Sequence, residues 1–214
     1  MPLVIAIDGP AASGKGTLAR RLAQRLNLAH MESGLLYRAV ARRMLAGKLD
    51  PADAAAAERT ARQVGFAELA DATPLREEAV GSAASVVSAF PAVRAALVAL
   101  QRDFASHPPP GTQGVVIDGR DIGTVICPDA TVKIYLEASP EIRAKRRVRE
   151  LLERGEDAIS SRVLQDMKDR DARDRDRRAS PLKPAEDAFI LDTSELDEEE
   201  AFRAALSFIE QRNR

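Results

Sequence analysis

Short apolar runs alternate along the chain with longer segments in which apolar residues recur every three or four positions. The runs are rich in β-branched residues, end at turn residues and occupy positions 3–7, 115–117, 132–136 and 188–191. Each run predicts a strand that is buried on both faces. Because helical segments separate these strands, the pattern predicts an α/β fold with a mostly parallel sheet, helices on both faces and ligands at the carboxyl ends of the strands.

Capping and stop residues mark the ends of several predicted helices. One helix is expected to begin near Ser33, whose hydroxyl can cap free amides, and to end at Gly47. Pro91 suits the first turn of a later helix. The Ala-rich stretch 52–88 has little pattern and is interpreted as short helices in an insert that faces the substrate. A closing amphipathic helix is predicted from apolar residues at positions 202, 205, 206 and 209.

Composition excludes several classes of protein. With 214 residues, the chain is long enough for one α/β domain with small mobile appendages and too short for two enzymes in tandem. Its formal net charge of −1 creates no global field, so we expect neither nucleic acid nor a membrane as a partner. The single cysteine, Cys127, cannot form an internal disulfide. The first apolar run is too short for a signal peptide and no window approaches a transmembrane span, so we expect a soluble, cytoplasmic protein.

A glycine-rich loop with the pattern G-x-x-x-x-G-K follows the first predicted strand and precedes a predicted helix. Its residues are Gly9, Pro10, Ala11, Ala12, Ser13, Gly14, Lys15, Gly16 and Thr17. In this context the backbone amides surround phosphate oxygens, the helix N-terminus adds its positive dipole end, and Lys15 reaches the β- and γ-phosphates. Thr17 would bring a hydroxyl close to Mg²⁺. The motif therefore predicts a loop that binds the phosphates of a nucleotide.

One position of the loop departs from the usual pattern. Gly16 stands where Ser or Thr normally follows the lysine, and Lys-Gly-Thr resembles the nucleoside monophosphate kinases. A GTPase would need an Asn-Lys-x-Asp motif, yet the asparagines are Asn27 and Asn213, and no Asp-x-x-Gly occurs. The sequence therefore argues against a GTPase switch.

Two further groups of polar residues indicate an acceptor for the phosphoryl group. Asp118, Arg120 and Asp121 follow the second apolar run, where Asp118 could hold Mg²⁺, Arg120 a phosphate and Asp121 an exocyclic amine of a base. The alternative interpretation is a polar turn with an Asp-Arg pair. Ser33 and Arg38 place a hydroxyl and a guanidinium one helical turn apart, which could clamp a second phosphate. Taken alone, they fit an ordinary helix surface equally well.

Several motifs extend these groups along the chain. They are Ile7-Asp-Gly-Pro, Ser33-Gly-x-x-Tyr-Arg38, Ser82-Ala-Ala-Ser85, Ala89-Phe-Pro-x-Val-Arg94, Asp118-Gly-Arg-Asp-Ile-Gly-Thr124, Pro128-Asp-Ala, Arg170-Asp-x-Arg-Asp174-Arg-x-Arg177 and Pro181-Leu. Together they are highly specific, and through them the chain resembles the bacterial-type cytidylate kinases over residues 1–50 and 82–210. The resemblance implies CMP and dCMP as acceptors, ATP as donor and Mg²⁺ as cofactor.

The resemblance also implies an architecture. It is a P-loop NTPase-like, parallel five-stranded sheet with helices on both faces, a mobile lid and an insert that binds the nucleoside monophosphate. On this basis the single domain 1–214 divides into a core at 1–50, 89–150 and 179–214, an insert at about 51–88 and a lid at about 151–178. The insert is expected to be shortened, because residues 66–82 lack the alternating strand pattern found in many members. Glu32 also stands where the family usually has Asp.

Carried over by position, the resemblance implies an acceptor pocket. Its residues are Ser33, Arg38, Ser85, Arg94, Arg120, Asp121, Arg170, Asp174 and Arg177. We assign Ser33, Arg38 and Arg120 to the phosphate. Ser85, Arg94 and Asp121 are assigned to the cytosine, and Arg170 with Asp174 to the ribose hydroxyls. Arg177 serves the base or the phosphate. The expected catalytic residues are Lys15, Asp118, Arg120 and Arg177, and the expected metal ligands are Thr17 and Asp118.

The charged run at 168–178 has more than one interpretation. A solvated helix face with ion pairs of both signs is the simplest. Nucleic-acid binding is less suitable, because the acidic residues largely cancel the basic ones and no aromatic residues lie among them. Beside a kinase core, the run is better explained as a lid whose arginines neutralise charge on the transferring phosphoryl group.

Two other functions stay open at this point. One is a P-loop kinase for another acceptor, such as UMP, AMP or a small metabolite. The other is a nucleotide-binding regulatory module without catalysis. Since a CMP phosphate is already an anionic nucleophile, no catalytic histidine is expected, and His30 and His107 are interpreted as structural or surface residues. The small insert and the even surface charge favour a monomer.

Overall fold

The computed structural model describes residues 2–177 and 179–212. Its strands are β1 (Leu3–Asp8), β2 (Ala29–Glu32), β3 (Gly114–Gly119), β4 (Val132–Glu137) and β5 (Phe189–Asp192). Its α-helices are α1 (Lys15–Leu26), α2 (Gly34–Ala46), α3 (Ala54–Ala61), α4 (Glu78–Val87), α5 (Pro91–Ser106), α6 (Pro140–Glu153), α7 (Ser160–Asp176) and α8 (Glu198–Arg212). Residues 1, 213 and 214 of the predicted core and Arg178 at the end of the predicted lid lie outside the described residues.

The chain forms two compact units. The first comprises Met1–Met31 and Pro108–Arg214, and the second comprises Glu32–His107. The first unit contains the sheet, and the second is built from helices.

The sheet has five strands within the described residues, in the order β2-β3-β1-β4-β5. β1 pairs in parallel with β3 and β4, and β4 pairs in parallel with β5. Every residue of β3 is buried, as are the last four residues of β1. A strand buried on both sides requires packing on both faces of the sheet. The predicted parallel α/β sheet with helices on both faces is therefore confirmed.

The apolar runs predicted four of these strands, but β2 was missed. Its sequence, Ala-His-Met-Glu, contains no β-branched residue and is only four residues long. β2 lies at the edge of the sheet beside β3, so pairing with a neighbouring strand, and not local preference, makes it extended.

One face of the sheet is covered by α1 and α8. The apolar positions of α1 repeat every three or four residues, and Leu22 is fully buried against Ile7 of β1 and Ile134 of β4 in a single core. Ile209 of α8 is buried in the same core. Burying an aliphatic side chain of this size is worth roughly 1.5–3 kcal/mol, so this layer fixes the helix that follows the phosphate loop.

In the second unit, α2 packs against α3 and α4, and α3 packs against α5. The expected short helices in the Ala-rich stretch are present as α3, α4 and two 3₁₀ helices at Phe66–Leu69 and Pro74–Arg76. Pro91 is the first residue of α5, as predicted. Among the described residues 33–107 there is no strand.

The predicted cap at Ser33 is wrong in its chemistry. α2 begins at Gly34 with Ser33 as its N-cap, but the Ser33 side chain makes no capping hydrogen bond. Its backbone has φ −60° and ψ −26°, which is helical, whereas a capping residue usually has an extended backbone. The hydroxyl is therefore not used to begin the helix.

Within the described residues, no single helix is both long and apolar enough to cross a membrane. Only α4 and α5 taken together reach that length and composition, and they are bent by 104° at the break between them. Val80 and Val87 of α4 and Leu97 of α5 are buried inside the protein.

Candidate active site

The glycine-rich loop joins β1 to α1 in a conformation that its sequence permits. Gly14 has φ +91° and Gly9 has φ +151°. A Cβ atom on Gly9 would lie 2.2 Å from the backbone oxygen of Leu136, so no other residue fits between the loop and β4. Ala12 also adopts a left-handed backbone, with φ +56°. The loop is therefore bent tightly against the carboxyl ends of the strands.

The outward carbonyls of the loop are held by side chains from outside it. Nη1 of Arg143 donates to the Ala11 oxygen at 3.3 Å, and Nη1 of Arg146 donates to the Ser13 oxygen at 3.4 Å. The Thr193 hydroxyl donates to the same Ser13 oxygen at 3.2 Å. In a planar trans peptide the next amide points away from the carbonyl, so these contacts direct the following amides toward the other side of the loop. Sequence reasoning did not identify these three residues, because no motif includes them.

Lys15 is the first residue of α1 and is half-buried. Its Nζ donates to the Pro10 oxygen at 3.2 Å, which holds the ammonium over the loop. The Thr17 hydroxyl lies in the same first turn and accepts from Nη2 of Arg20 at 3.4 Å. The loop thus brings a cation and a hydroxyl to one helix N-terminus, a place that favours phosphate.

Asp118 is buried at the carboxyl end of β3 and approaches this helix start. A Cβ atom on Gly16 would lie 3.9 Å from its Oδ2, so the carboxylate faces the residue next to Thr17. Within the described residues, no three His, Cys, Asp or Glu side chains form a metal-binding group. A carboxylate and a hydroxyl suit Mg²⁺, since this ion takes few protein ligands and keeps water or phosphate oxygens for the rest. The residues present therefore fit the expected Mg²⁺.

His30 of β2 lies beside this carboxylate, with Nε2 3.3 Å from Oδ2 of Asp118. Sequence reasoning interpreted His30 as a structural or surface residue, and the structure shows a half-buried side chain in contact with a candidate metal ligand. The contact joins residues 88 positions apart, so only the pairing of β2 with β3 brings it about.

Arg120, Asp174 and Arg177 form a second cluster in the first unit. Nε of Arg120 donates to Oδ2 of Asp174 at 2.9 Å, and the Arg177 guanidinium donates to Oδ1 of the same carboxylate. Burial lowers the pKa of Arg120, whereas the carboxylates of Asp118 and Asp171 raise it. A guanidinium remains charged at neutral pH, so the cluster presents two cations around one buried anion.

Arg170 and Asp174 were expected to act together at the ribose. Both lie on α7, but the structure joins Asp174 to Arg120 and Arg177 through hydrogen bonds. Asp171 and Asp174 are buried on one face of α7. This burial rules out the alternative interpretation of the charged run as a wholly solvated helix face.

Asp121 is buried and precedes a π-helical turn, Ile122–Ile126. Asp8 at the end of β1 holds that turn, because its two carboxylate oxygens accept from the backbone amides of Ile122 and Gly123, each at 2.8 Å. Burial raises the pKa of Asp8 to about 7, against the two amide hydrogen bonds, which lower it. Asp8 belongs to the motif Ile7-Asp-Gly-Pro, but no role was predicted for it from the sequence.

Arg38 lies on α2. It belongs to the second unit, which also contains three other expected acceptor residues. Its Nη1 donates to the Leu75 oxygen at 2.8 Å, and its guanidinium packs over Gly81 of α4. A Cβ atom on Gly81 would lie 3.0 Å from Nη2 and 3.1 Å from Nη1 of Arg38. The position of Arg38 thus depends on a glycine in the facing helix.

Ser33, Ser85 and Arg94 are also in the second unit, and all three are buried. Nη1 of Arg94 donates to the Ser88 oxygen at 3.2 Å, and its guanidinium lies 5.2 Å from the centre of the Tyr37 ring. Within the described residues, the Ser85 hydroxyl is buried without a hydrogen-bond partner. A buried hydroxyl in that state is unusual, because most buried polar groups are hydrogen-bonded.

The predicted site residues therefore fall into two sets. The first unit contains the phosphate loop and Asp118, Arg120, Asp121, Arg170, Asp174 and Arg177. The second unit contains Ser33, Arg38, Ser85 and Arg94. Within its unit, each set combines buried polar groups with guanidinium groups, which is the composition expected of a site for anionic, hydrogen-bonding ligands.

Comparison with known proteins gives consistent matches. The family model described as cytidylate kinase matches residues 5–211. Proteins named cytidylate kinase from Paramagnetospirillum magneticum and Methylobacterium sp. strain 4-46 are 56% and 59% identical to this chain, over 209 and 210 residues, and each match covers 98% of both chains. The solved structure of a shikimate kinase from Bacteroides thetaiotaomicron has a TM-score of 0.52 at 12% identity and covers 100% of both chains, a likeness of fold alone.

Proposed function

The chain belongs to the cytidylate kinase family, and on this premise we propose that it transfers the γ-phosphoryl group of ATP to CMP or dCMP, forming ADP and CDP or dCDP. The observation that carries the proposal is the family match over residues 5–211, which spans the phosphate loop and every acceptor residue named above. The reaction supplies diphosphates to pyrimidine nucleotide metabolism.

We propose that the loop residues 9–17 bind the phosphates of ATP. The hydrogen bonds to the loop carbonyls from Arg143, Arg146 and Thr193 support this role. They keep the loop amides fixed before ATP binds. Lys15, already held over the loop, would move from the Pro10 oxygen to the β- and γ-phosphates.

Thr17 and Asp118 would hold Mg²⁺, which the family implies as cofactor. When bound, this ion neutralises negative charge on the donor phosphates. The hydroxyl and the buried carboxylate supply the hard oxygen ligands that Mg²⁺ prefers. His30 keeps the carboxylate oriented through its contact with Oδ2.

Phosphoryl transfer requires alignment and charge neutralisation more than it requires a base. A phosphate oxygen of CMP attacks the γ-phosphorus in line, and the bond from that phosphorus to the oxygen of ADP breaks. The attacking phosphate is already an anion, so no histidine has to remove a proton. Arg120 and Arg177 would neutralise the charge on the equatorial oxygens, and Asp174 holds both guanidinium groups in place.

The remaining acceptor residues have proposed roles within their own units. In the second unit, Ser33 and Arg38 bind the acceptor phosphate, and Ser85 and Arg94 bind the base. The buried Ser85 hydroxyl supports the latter, since a base edge would satisfy it. In the first unit, Asp121 accepts from the exocyclic amine of cytosine, and Arg170 contacts the ribose. This assignment favours CMP over UMP, because uracil has no exocyclic amine.

We further propose that the enzyme acts as a monomer in the cytoplasm, where nucleotides are its partners. The even balance of charge supports the absence of nucleic acid and membrane partners. Sedimentation equilibrium of the purified protein tests the monomer, for which we expect a mass close to 23.2 kDa.

A steady-state screen tests the proposed function. The purified enzyme is incubated with ATP and Mg²⁺ and with CMP, dCMP, UMP or AMP in turn, and the diphosphate products are separated by chromatography. We expect CMP and dCMP to have the highest kcat/KM. Preference for UMP or AMP would contradict the acceptor, and a lack of any diphosphate product would contradict the kinase activity itself.

A further inference from the structure

One guanidinium connects three segments of the first unit. Nε of Arg143 donates to the oxygen of Ala138, just after β4, at 2.9 Å, and its Nη1 donates to the Ala11 oxygen of the phosphate loop at 3.3 Å. The same group pairs with Asp171 of α7 through Nη1 at 3.3 Å and Nη2 at 2.6 Å. The contact of Arg143 with the loop supports the proposed binding of ATP, whereas its pairing with Asp171 has no part in the proposed function.

The pair is built to be rigid. The side chains of Arg143 and Asp171 are only 4% and 8% exposed. The guanidinium is planar and its donors have fixed directions, so two parallel hydrogen bonds to a carboxylate fix its orientation. A movement of Asp171 must therefore tilt the plane that also holds the Ala11 carbonyl.

Asp171 lies on α7 among the proposed acceptor residues. It follows Arg170, the proposed ribose contact, and precedes Asp174 by three residues on the same buried face. Asp174 in turn holds Arg120 and Arg177. A shift of α7 when the acceptor binds would therefore reach the phosphate loop through a single side chain.

We propose that Arg143 and Asp171 are positioning residues that couple acceptor binding at α7 to ATP binding by the phosphate loop. The pair touches neither substrate. It transmits the position of α7 to the Ala11 peptide, whose orientation sets the direction of the Ala12 amide. This inference rests on the proposed function, because it requires that both CMP and ATP bind.

The coupling is a measurable quantity. The dissociation constant of adenosine 5′-(β,γ-imido)triphosphate, a non-hydrolysable ATP analogue, is measured by calorimetry for the full chain with Mg²⁺, with and without saturating CMP. Linked sites typically change each other's affinity by about 5- to 150-fold. For the wild type we expect CMP to tighten analogue binding by roughly tenfold. For Asp171→Asn we expect a ratio below about 2-fold.

A second pair between the same helices provides a matched control. Nζ of Lys168 on α7 lies 3.8 Å from Oε1 of Glu141 on α6, but these side chains are 48% and 60% exposed. Among the residues that the structure describes, neither side chain hydrogen-bonds to the phosphate loop, so Lys168→Gln should keep the wild-type ratio. Thermal melting separates coupling from stability, because lower stability alone leaves the ratio of the two dissociation constants unchanged.

Arg143→Lys provides the second arm if Asp171→Asn does not fold. A lysine can pair with Asp171 at one point but lacks the planar fork that reaches Ala11 and Ala138 together, so the ratio should again fall below about 2-fold. Wild-type ratios in both folded variants would overturn the positioning role. A wild-type enzyme that forms CDP but shows no coupling would overturn it as well and would leave the proposed function intact. A wild type that forms no CDP and binds no CMP would overturn both.

Discussion

Asp174 of α7 accepts a hydrogen bond from Nε of Arg120 at 2.9 Å, although 54 residues separate the two in sequence. Asp174 is 2% exposed, so it is an anchor inside the protein and not part of a solvated ion-pair network. The same carboxylate also holds Arg177. Two arginines with proposed roles at the phosphates thus depend on one aspartate.

Replacing Asp174 by Ala should therefore affect both stability and catalysis. Removing one partner of a buried ion pair leaves an uncompensated charge, so we expect the free energy of unfolding to fall by about 3 kcal/mol or more. For CMP we expect kcat/KM to fall by more than about tenfold, which corresponds to more than about 1.4 kcal/mol. An exposed ion pair contributes only roughly 0–1 kcal/mol. If Asp174 also orders the ribose contacts, dCMP should lose less, because it has no 2′-hydroxyl. Urea unfolding and steady-state kinetics with both acceptors measure these effects.

Asp176 lies on the same helix but is exposed, so Asp176→Ala is the matched control. We expect this variant to change stability by no more than about 0.5 kcal/mol and to treat CMP and dCMP as the wild type does. Kinetic constants for Asp174→Ala that match those of the control would exclude a role for Asp174 at the acceptor.

Lys15→Ala should abolish most activity without unfolding the protein. The side chain is half-buried and donates a hydrogen bond to a loop carbonyl and not to the core, so we expect its loss to change stability little. Its charge is proposed to stabilise the transferring phosphoryl group, and we expect kcat to fall by about 1000-fold or more. CDP formation is measured beside Arg25→Ala, which removes an exposed cation from the same helix. Normal turnover by folded Lys15→Ala would remove this residue from the mechanism.

Asp121→Ala should reduce discrimination between CMP and UMP. The variant loses a buried carboxylate that is proposed to accept from the cytosine amine, whereas UMP has no such amine. We expect kcat/KM for CMP to fall by roughly 100-fold and that for UMP to change much less, so the two values converge. Asp129→Ala, an exposed aspartate in the same unit, should preserve the preference. Equal losses for both nucleotides would show that Asp121 does not select the base.

Gly81→Ala tests the position of Arg38. The added methyl would lie 3.0 Å from Nη2 of Arg38, so the guanidinium must shift by a few tenths of an ångström. Alanine favours a helix over glycine by about 1 kcal/mol, which offsets part of the strain and keeps the change in stability small. We expect KM for CMP to rise by roughly 3- to 10-fold with little change in the melting temperature.

A methyl added at Gly65 of the same unit meets no atom within 4 Å, so Gly65→Ala controls for the substitution itself. Kinetic constants for Gly81→Ala equal to those of Gly65→Ala would mean that the exact position of Arg38 has no effect on acceptor binding. A large fall in melting temperature for Gly81→Ala alone would instead indicate a packing role.

Asp8 predicts a particular dependence of stability on pH. Burial raises its pKa from 3.8 to about 7, so between these values the folded protein holds a proton that the unfolded chain releases. The stability that this proton contributes is fully present below pH 3.8 and is lost as the pH rises through about 7. Asp8→Asn has no such proton. The free energy of unfolding of the wild type minus that of Asp8→Asn should therefore fall by about 2–3 kcal/mol between pH 5 and pH 8.

Urea unfolding of both proteins at several pH values measures this difference, in which other titrating groups largely cancel. We expect the variant to be less stable, because the single oxygen of its amide replaces the two oxygens that accept from Ile122 and Gly123. Only the change of the stability difference with pH reports the titration of Asp8. A difference that stays constant from pH 5 to pH 8 would show that Asp8 does not titrate in this range.

The sequence by itself determined most of the secondary structure and the phosphate loop. β1 and α1 have strong apolar patterns, and the loop between them is one contiguous stretch, Gly9 to Thr17. Such features can be read along the chain, because strand burial, helix periodicity and the backbone freedom of glycine are local properties. The parallel sheet followed from their alternation.

The arrangement of the site was decided only by the tertiary structure. Asp8 contacts Ile122 across 114 positions, and Arg143 contacts Ala11 across 132. These pairs lie on different elements, and no local pattern favours either partner. They meet because the parallel strands end at one edge of the sheet and the helices pack beside it. Buried charges are stable there only when such distant partners satisfy them, and that pairing exists only in the folded chain.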